Sequence, residues 1–134
     1  MTTIIFYASS TGNTQAAAEY LAERLDGNAV PFSSAELVDL TAVDTAVFGS
    51  RIHAGGILKA MTEFVKRKQV ELAGCKTAYF VCSLFDGEKA EKQCAKAGVQ
   101  LGMETGCYFV GAKKKLKAGQ TEEFDSFADR IREL

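Results

Sequence analysis

The chain has 134 residues, of which 47% are hydrophobic and 25% charged, with twelve glycines, one proline and no tryptophan. That length suits one domain with one continuous core, and the composition is that of a globular chain, neither disordered nor repetitive. Sixteen basic residues against seventeen acidic ones leave a formal charge of -1, so no whole-molecule field points to nucleic acid or to an anionic membrane.

Met1-Thr2-Thr3 carries no basic leader, and no apolar run reaches the roughly 18 residues of a membrane span, so a cytoplasmic protein with no membrane span is expected. Cys75, Cys82, Cys94 and Cys107 form no C-x-x-C pair and have one histidine to help them, which argues against zinc and for reduced, mostly buried thiols.

In chain order, Thr3 to Ala8 is a continuous apolar, β-branched and aromatic run, the pattern of a strand buried on both faces. From Thr14 to Leu25 the positions Ala17, Ala18, Leu21 and Leu25 recur at helical spacing, and Asp26-Gly27-Asn28 ends the helix. Ala29 to Phe32 reads as a short strand that Pro31 restricts to an edge, followed by a helical turn with Ser33 and Glu36 as a capping box. Thr45 to Gly49 is a further buried strand, opening into a glycine-rich loop from Ser50 to Gly56. A helix from Ile57 to Lys68 then buries Leu58, Met61, Phe64 and Val65.

Thr77 to Cys82 is the next strand and Ser83 to Gly87 its loop. A helix from Glu88 to Leu101 has a stripe of mostly small residues, Ala90, Cys94, Ala97 and Leu101. Cys107 to Gly111 is the last strand. Lys113-Lys114-Lys115, with Lys117, reads either as a solvated turn or as a docking point for an acidic partner, and no basic run is interleaved with aromatics as nucleic-acid binding would require. Thr121 to Leu134 closes the chain with the amphipathic stripe Phe124, Phe127, Ala128 and Ile131. Strands alternating with helices imply an α/β fold: a five-stranded parallel sheet, order 2-1-3-4-5, with helices on both faces. Ligands of such a sheet bind beyond the carboxyl ends of strands one and three.

One loop at that place has an unusual composition. Ser9, Ser10, Thr11, Gly12, Asn13 and Thr14 supply four hydroxyls, an amide and a glycine between a buried strand and a helix start. Unpaired amides and the helix dipole favour an anion there, and Gly12 lets the backbone approach it. Helix capping needs only one hydroxyl. The absence of lysine excludes a nucleoside-triphosphate loop and favours a terminal monoester phosphate. A phosphoacceptor receiver domain is excluded by Ala8-Ser9 and Gly49-Ser50, where it needs carboxylates, and a cysteine phosphatase by the lack of a cysteine in the first loop.

Ser-x-Thr-Gly-Asn-Thr after the first strand resembles the FMN-phosphate loop of flavodoxins, and element order and length match that family over the whole chain. The resemblance implies a single flavodoxin-like domain spanning 1-134 in three layers, with FMN as cofactor and its phosphate on Ser9 to Thr14. It also implies that the loops Ser50, Arg51, Ile52, His53, Ala54, Gly55 and Ser83, Leu84, Phe85, Asp86, Gly87 flank the flavin ring. Stacking falls to Phe85, with His53 or Ile52, in a chain without tryptophan. Gly55-Gly56 would permit the peptide flip, through the Ala54 carbonyl, by which flavodoxins stabilise a protonated semiquinone, or would only make a tight turn. Arg51 and His53 would place positive charge near the flavin and raise its potential, or His53 is only a loop residue in solvent.

The spacing Gly49-x-x-Ile52-x-x-Gly55 and the strand Tyr79 to Leu84 are similar to the flavodoxin-type protoporphyrinogen oxidase branch. That branch carries a long basic and aromatic insertion after the fifth strand, where this chain has only Ala112 to Gln120. Three functions follow: an FMN electron carrier serving a redox partner protein; a flavin-dependent oxidoreductase reducing a small-molecule electron acceptor or acting on a quinone or protoporphyrinogen; or a flavin-free binding module of the same fold.

Overall fold

The computed structural model describes residues 2-8, 13-52, 57-83, 85, 87-110 and 118-134. Five parallel strands form one sheet: β1 (Thr3–Ala8), β2 (Asn28–Pro31), β3 (Thr45–Arg51), β4 (Lys76–Ser83) and β5 (Gly106–Val110), in the order β2-β1-β3-β4-β5. The helices are α1 (Asn13–Leu25), α2 (Lys59–Arg67), the single turn α3 (Gln69–Leu72), α4 (Gly87–Leu101) and α5 (Ala118–Arg132). The expected strand order is therefore observed, with helices on both faces.

Two cores sandwich the sheet because successive strand residues point to opposite sides. On one side Phe6, Phe48 and Val81 pack against Met61, Phe64 and Val65 of α2 and Cys94, Ala97 and Leu101 of α4. The Phe6 and Phe48 rings stack at 5.2 Å, and both tilt onto Phe64 at 6.2 Å. On the other side Ile5, Val47 and Phe80 meet Ala17, Ala18 and Leu21 of α1 and Phe124, Phe127 and Ile131 of α5. Phe124 sits edge-on to Phe80, Phe109 and Phe127, the geometry that aromatic quadrupoles prefer.

Several local expectations need correction. Ser33 and Glu36 form no capping box. A 3-10 helix starts at Phe32, behind Pro31 and with no side-chain cap, and Glu36 instead pairs with Arg67 and Lys68 at the end of α2. An ion pair across the fold is available to that carboxylate, and Pro31 already fixes the entry angle. β3 runs two residues further than expected, placing Ser50 and Arg51 in the strand, because β4 continues alongside and pairs Arg51 with Cys82. Leu58 is not buried: it precedes α2 in an extended conformation and is 42% exposed. At the end of α1 the left-handed residue is Asp26, with φ 53°, and Gly27 serves a different purpose, since a Cβ there would lie 2.6 Å from the Thr3 carbonyl oxygen.

Gly49 in the centre of β3 is required by contact. The ring of Phe80 from the adjacent strand lies across it, and a Cβ would come within 2.1 Å of that ring. Phe80 is itself held by Phe124, so it has little room to retreat. Gly49→Ala should destabilise the fold by about 1–3 kcal/mol, the range for overpacking, seen as a lower urea midpoint at unchanged slope. In a Phe80→Leu background the penalty should shrink, and equal penalties in both backgrounds would show that the ring is not the obstacle.

Candidate functional site

The sheet changes winding direction between β1 and β3: the chain leaves β1 for β2 on one side and returns to place β3 on the other. Parallel register sets Ala8 beside Ser50 and Arg51 beside Cys82, so β1, β3 and β4 end on one rim. That switch point is where open α/β sheets bind ligands.

The start of α1 is anchored to this rim. Thr14 is fully buried, and its hydroxyl donates to the Cys82 sulfur at 3.4 Å. Its side chain is therefore engaged within the protein, and what the helix start offers outward is its first-turn amides and dipole. Burial pushes the Cys82 thiol up to about 12, against a smaller opposing effect of the Thr14 hydroxyl. Cys82 is a neutral spacer under the helix start and no nucleophile. Asn13 is half-buried in the first turn. Ser9, Ser10, Thr11 and Gly12 lie outside the described residues, as do His53, Ala54, Gly55, Gly56, Leu84, Asp86 and the run Lys113 to Lys117.

Two buried serines, Ser50 one residue before the end of β3 and Ser83 at the end of β4, have matching tasks. Ser50 Oγ donates to the Arg51 carbonyl at 3.0 Å and accepts from the Leu58 amide at 3.4 Å, closing the two ends of the β3–α2 loop on each other. Ser83 Oγ accepts from the Phe85 amide at 3.0 Å and donates to Gln93 Oε1 at 2.6 Å, which fastens the β4–α4 loop to α4. Gly87 then turns the chain into α4 with φ +59°, a conformation that glycine adopts without a Cβ clash. Arg51 and Ile52 are half-buried beside these contacts.

Among the described residues, the rim exposes two large apolar side chains. Phe85 is 45% exposed and Leu58 42%, while the Lys89 ammonium lies 3.6 Å from the Phe85 ring centroid. Leu58, Lys89 and Gln93 were not anticipated. Gln93 lies ten residues beyond Ser83 and no local pattern links them, whereas the basic residue four places after Phe85 was visible but only α4 aims it at the ring.

Comparison with known proteins identifies the arrangement. The flavodoxin domain model matches residues 4–128. The chain belongs to the flavodoxin family. A flavodoxin from the domain Archaea is 20% identical, with 99% of this chain aligned to 97% of that one and a TM-score of 0.70. Flavodoxin 2 from Bacillus cereus is 22% identical, with 99% of each chain aligned and a TM-score of 0.69. Rubredoxin:oxygen oxidoreductase from Desulfovibrio gigas is 17% identical, with a TM-score of 0.69. There, 98% of this chain aligns to 35% of a longer one. No curated protein matches by sequence at a significant level. As in the family, a flavin-binding electron-transfer protein is indicated. No helix among the described residues is long and apolar enough to cross a membrane, and no group of three or more metal-ligating side chains is found among them.

All four cysteines are free thiols, three of them buried. For Cys82 the folded state binds its proton more tightly than the unfolded chain, which titrates near 9.0. The stability this confers is complete below pH 9 and is lost as pH rises toward 12. At pH 8 the folded protein therefore holds far less Cys82 thiolate than the unfolded chain. Labelling with an aromatic disulfide reagent, followed by peptide mapping, should therefore modify Cys82 only on global unfolding. Rapid native-state modification would contradict this burial.

Proposed function

We propose that the chain is a single-domain cytoplasmic FMN carrier that passes electrons to a redox partner protein. The reading rests on one observation above all: the start of α1 and the Phe85-bearing loop converge at the switch point of a flavodoxin-family sheet. A helix start suits a monoester phosphate, and the exposed faces of Phe85 and Leu58 suit a flat apolar ring, so the residues present fit FMN. Ser9, Ser10, Thr11, Gly12 and Asn13 would hold the phosphate, and Thr14 would contribute its main-chain amide. The segments Ser50 to Gly55 and Ser83 to Gly87 would border the ring, with the Ser50 and Ser83 hydroxyls shaping their loops from below. FMN, when bound, supplies the one- and two-electron chemistry, and the protein supplies position and surrounding charge.

FMN added to the purified protein should lose its fluorescence with saturable, one-to-one binding. Changing Ser10→Glu and Thr11→Glu together should weaken FMN binding at least about a hundredfold by setting carboxylates against the phosphate, and should leave riboflavin binding nearly unchanged. Retained FMN binding in that variant would overturn the phosphate assignment. Absence of binding by the wild-type protein would favour the flavin-free module. A carrier should take up electrons in two separate one-electron steps; a single two-electron bleaching, followed by fast reoxidation by a quinone, would make it an oxidoreductase.

A further inference from the structure

Phe85 is gripped by α4 in two ways. Its main chain is held from below through Ser83, which bonds Gln93, and its ring is covered on one face by Lys89 at 3.6 Å. Lys89 and Gln93 are four residues apart on α4, hence on one face of that helix, so a single surface sets both the height of the loop and the tilt of the ring. The distance is well inside the range at which an ammonium is attracted to the negative face of a ring. Neighbouring Lys92 pairs with Glu88 at 3.2 Å, and among the described residues no carboxylate forms an ion pair with Lys89.

We propose that Lys89 is a positioning and charge-setting residue of the ring site: it occupies one face of Phe85, a flavin stacks on the other, and the ammonium favours the reduced, anionic flavin over the oxidised one. This rests on the FMN reading. Its physical content is geometric. With one face of Phe85 taken by a cation, only the opposite face of a half-exposed ring remains for a planar ligand. A ring stacked there lies at roughly van der Waals distance from Phe85, and so about 7 Å from the ammonium. Across that distance, through partly solvated surroundings, one unit charge shifts a binding ratio by about three- to tenfold. The oxidised, neutral ring feels the same stacking but little of the charge. Lys89 therefore acts on the difference between redox states, whereas Gln93 acts on loop position and affects both states alike.

The test measures dissociation constants for oxidised and for dithionite-reduced FMN, together with the two-electron potential, on the full-length wild type and on Lys89→Met, Lys89→Arg and Gln93→Ala. Lys89→Met should reduce the preference for reduced over oxidised FMN by about three- to tenfold and move the potential to more negative values, Lys89→Arg should retain most of the preference, and Gln93→Ala should weaken both states by similar factors. An unaltered preference in Lys89→Met, with FMN still bound, would overturn the role of Lys89 and leave the FMN reading standing. Failure of the wild type to bind FMN in either state would overturn the FMN reading and this proposal with it. Lys89 is exposed, so these variants are expected to fold, and in the flavin-free wild type an upfield ring-current shift of its ε-methylene protons, lost in Phe85→Leu, reports the contact directly.

Discussion

Burial of β3 and β4 on both faces is the constraint on which the rest of this molecule depends. Thr45 to Ser50 and Ala78 to Ser83 are buried without interruption, so each strand must have helices above and below it. Parallel pairing supplies those helices, since every return to the sheet requires a crossover. The right-handedness of crossovers then sends α1 and α5 to one face and α2 to α4 to the other. The switch between β1 and β3, where the candidate site lies, follows from this arrangement.

The strand ends at that switch are each tied to the helix that follows or faces them. Thr14 joins α1 to β4 through Cys82, Ser50 joins β3 to the approach of α2 through the Leu58 amide, and Ser83 joins β4 to α4 through Gln93. A buried hydroxyl at such a place must find a partner, and each of these three side chains has one beyond its own strand or helix. These buried polar residues thus serve as fasteners, while among the described residues Leu58 and Phe85 expose apolar surface. That division of labour gives the candidate site fixed strand ends, which suits the proposed cofactor.

The opposite faces of the same strands show why one-residue details escape a reading of the sequence. Gly49 looks like a strand breaker until Phe80 is seen to lie across it, and Gly106 is likewise covered by the Tyr79 ring. Both glycines are matched to an aromatic on the neighbouring strand in the same register, a pairing that exists only once the sheet is assembled.

What the amino-acid sequence determined by itself was the set of elements and their order. Apolar runs such as TIIFYA, and stripes such as Phe124, Phe127 and Ile131, report burial by their period, and period is a local property. The proposed phosphate role of Ser9 to Thr14 is likewise a local reading, drawn from six consecutive residues. Tertiary structure alone decided which side chains serve the rim. It withdrew Ser50, Ser83 and Thr14 hydroxyls into the protein, brought Leu58 to the surface, diverted Glu36 to Arg67, and set Lys89 and Gln93 around Phe85. These are contacts between residues on different elements, fixed by strand register and helix rotation, and neither quantity is encoded in the spacing of any short segment.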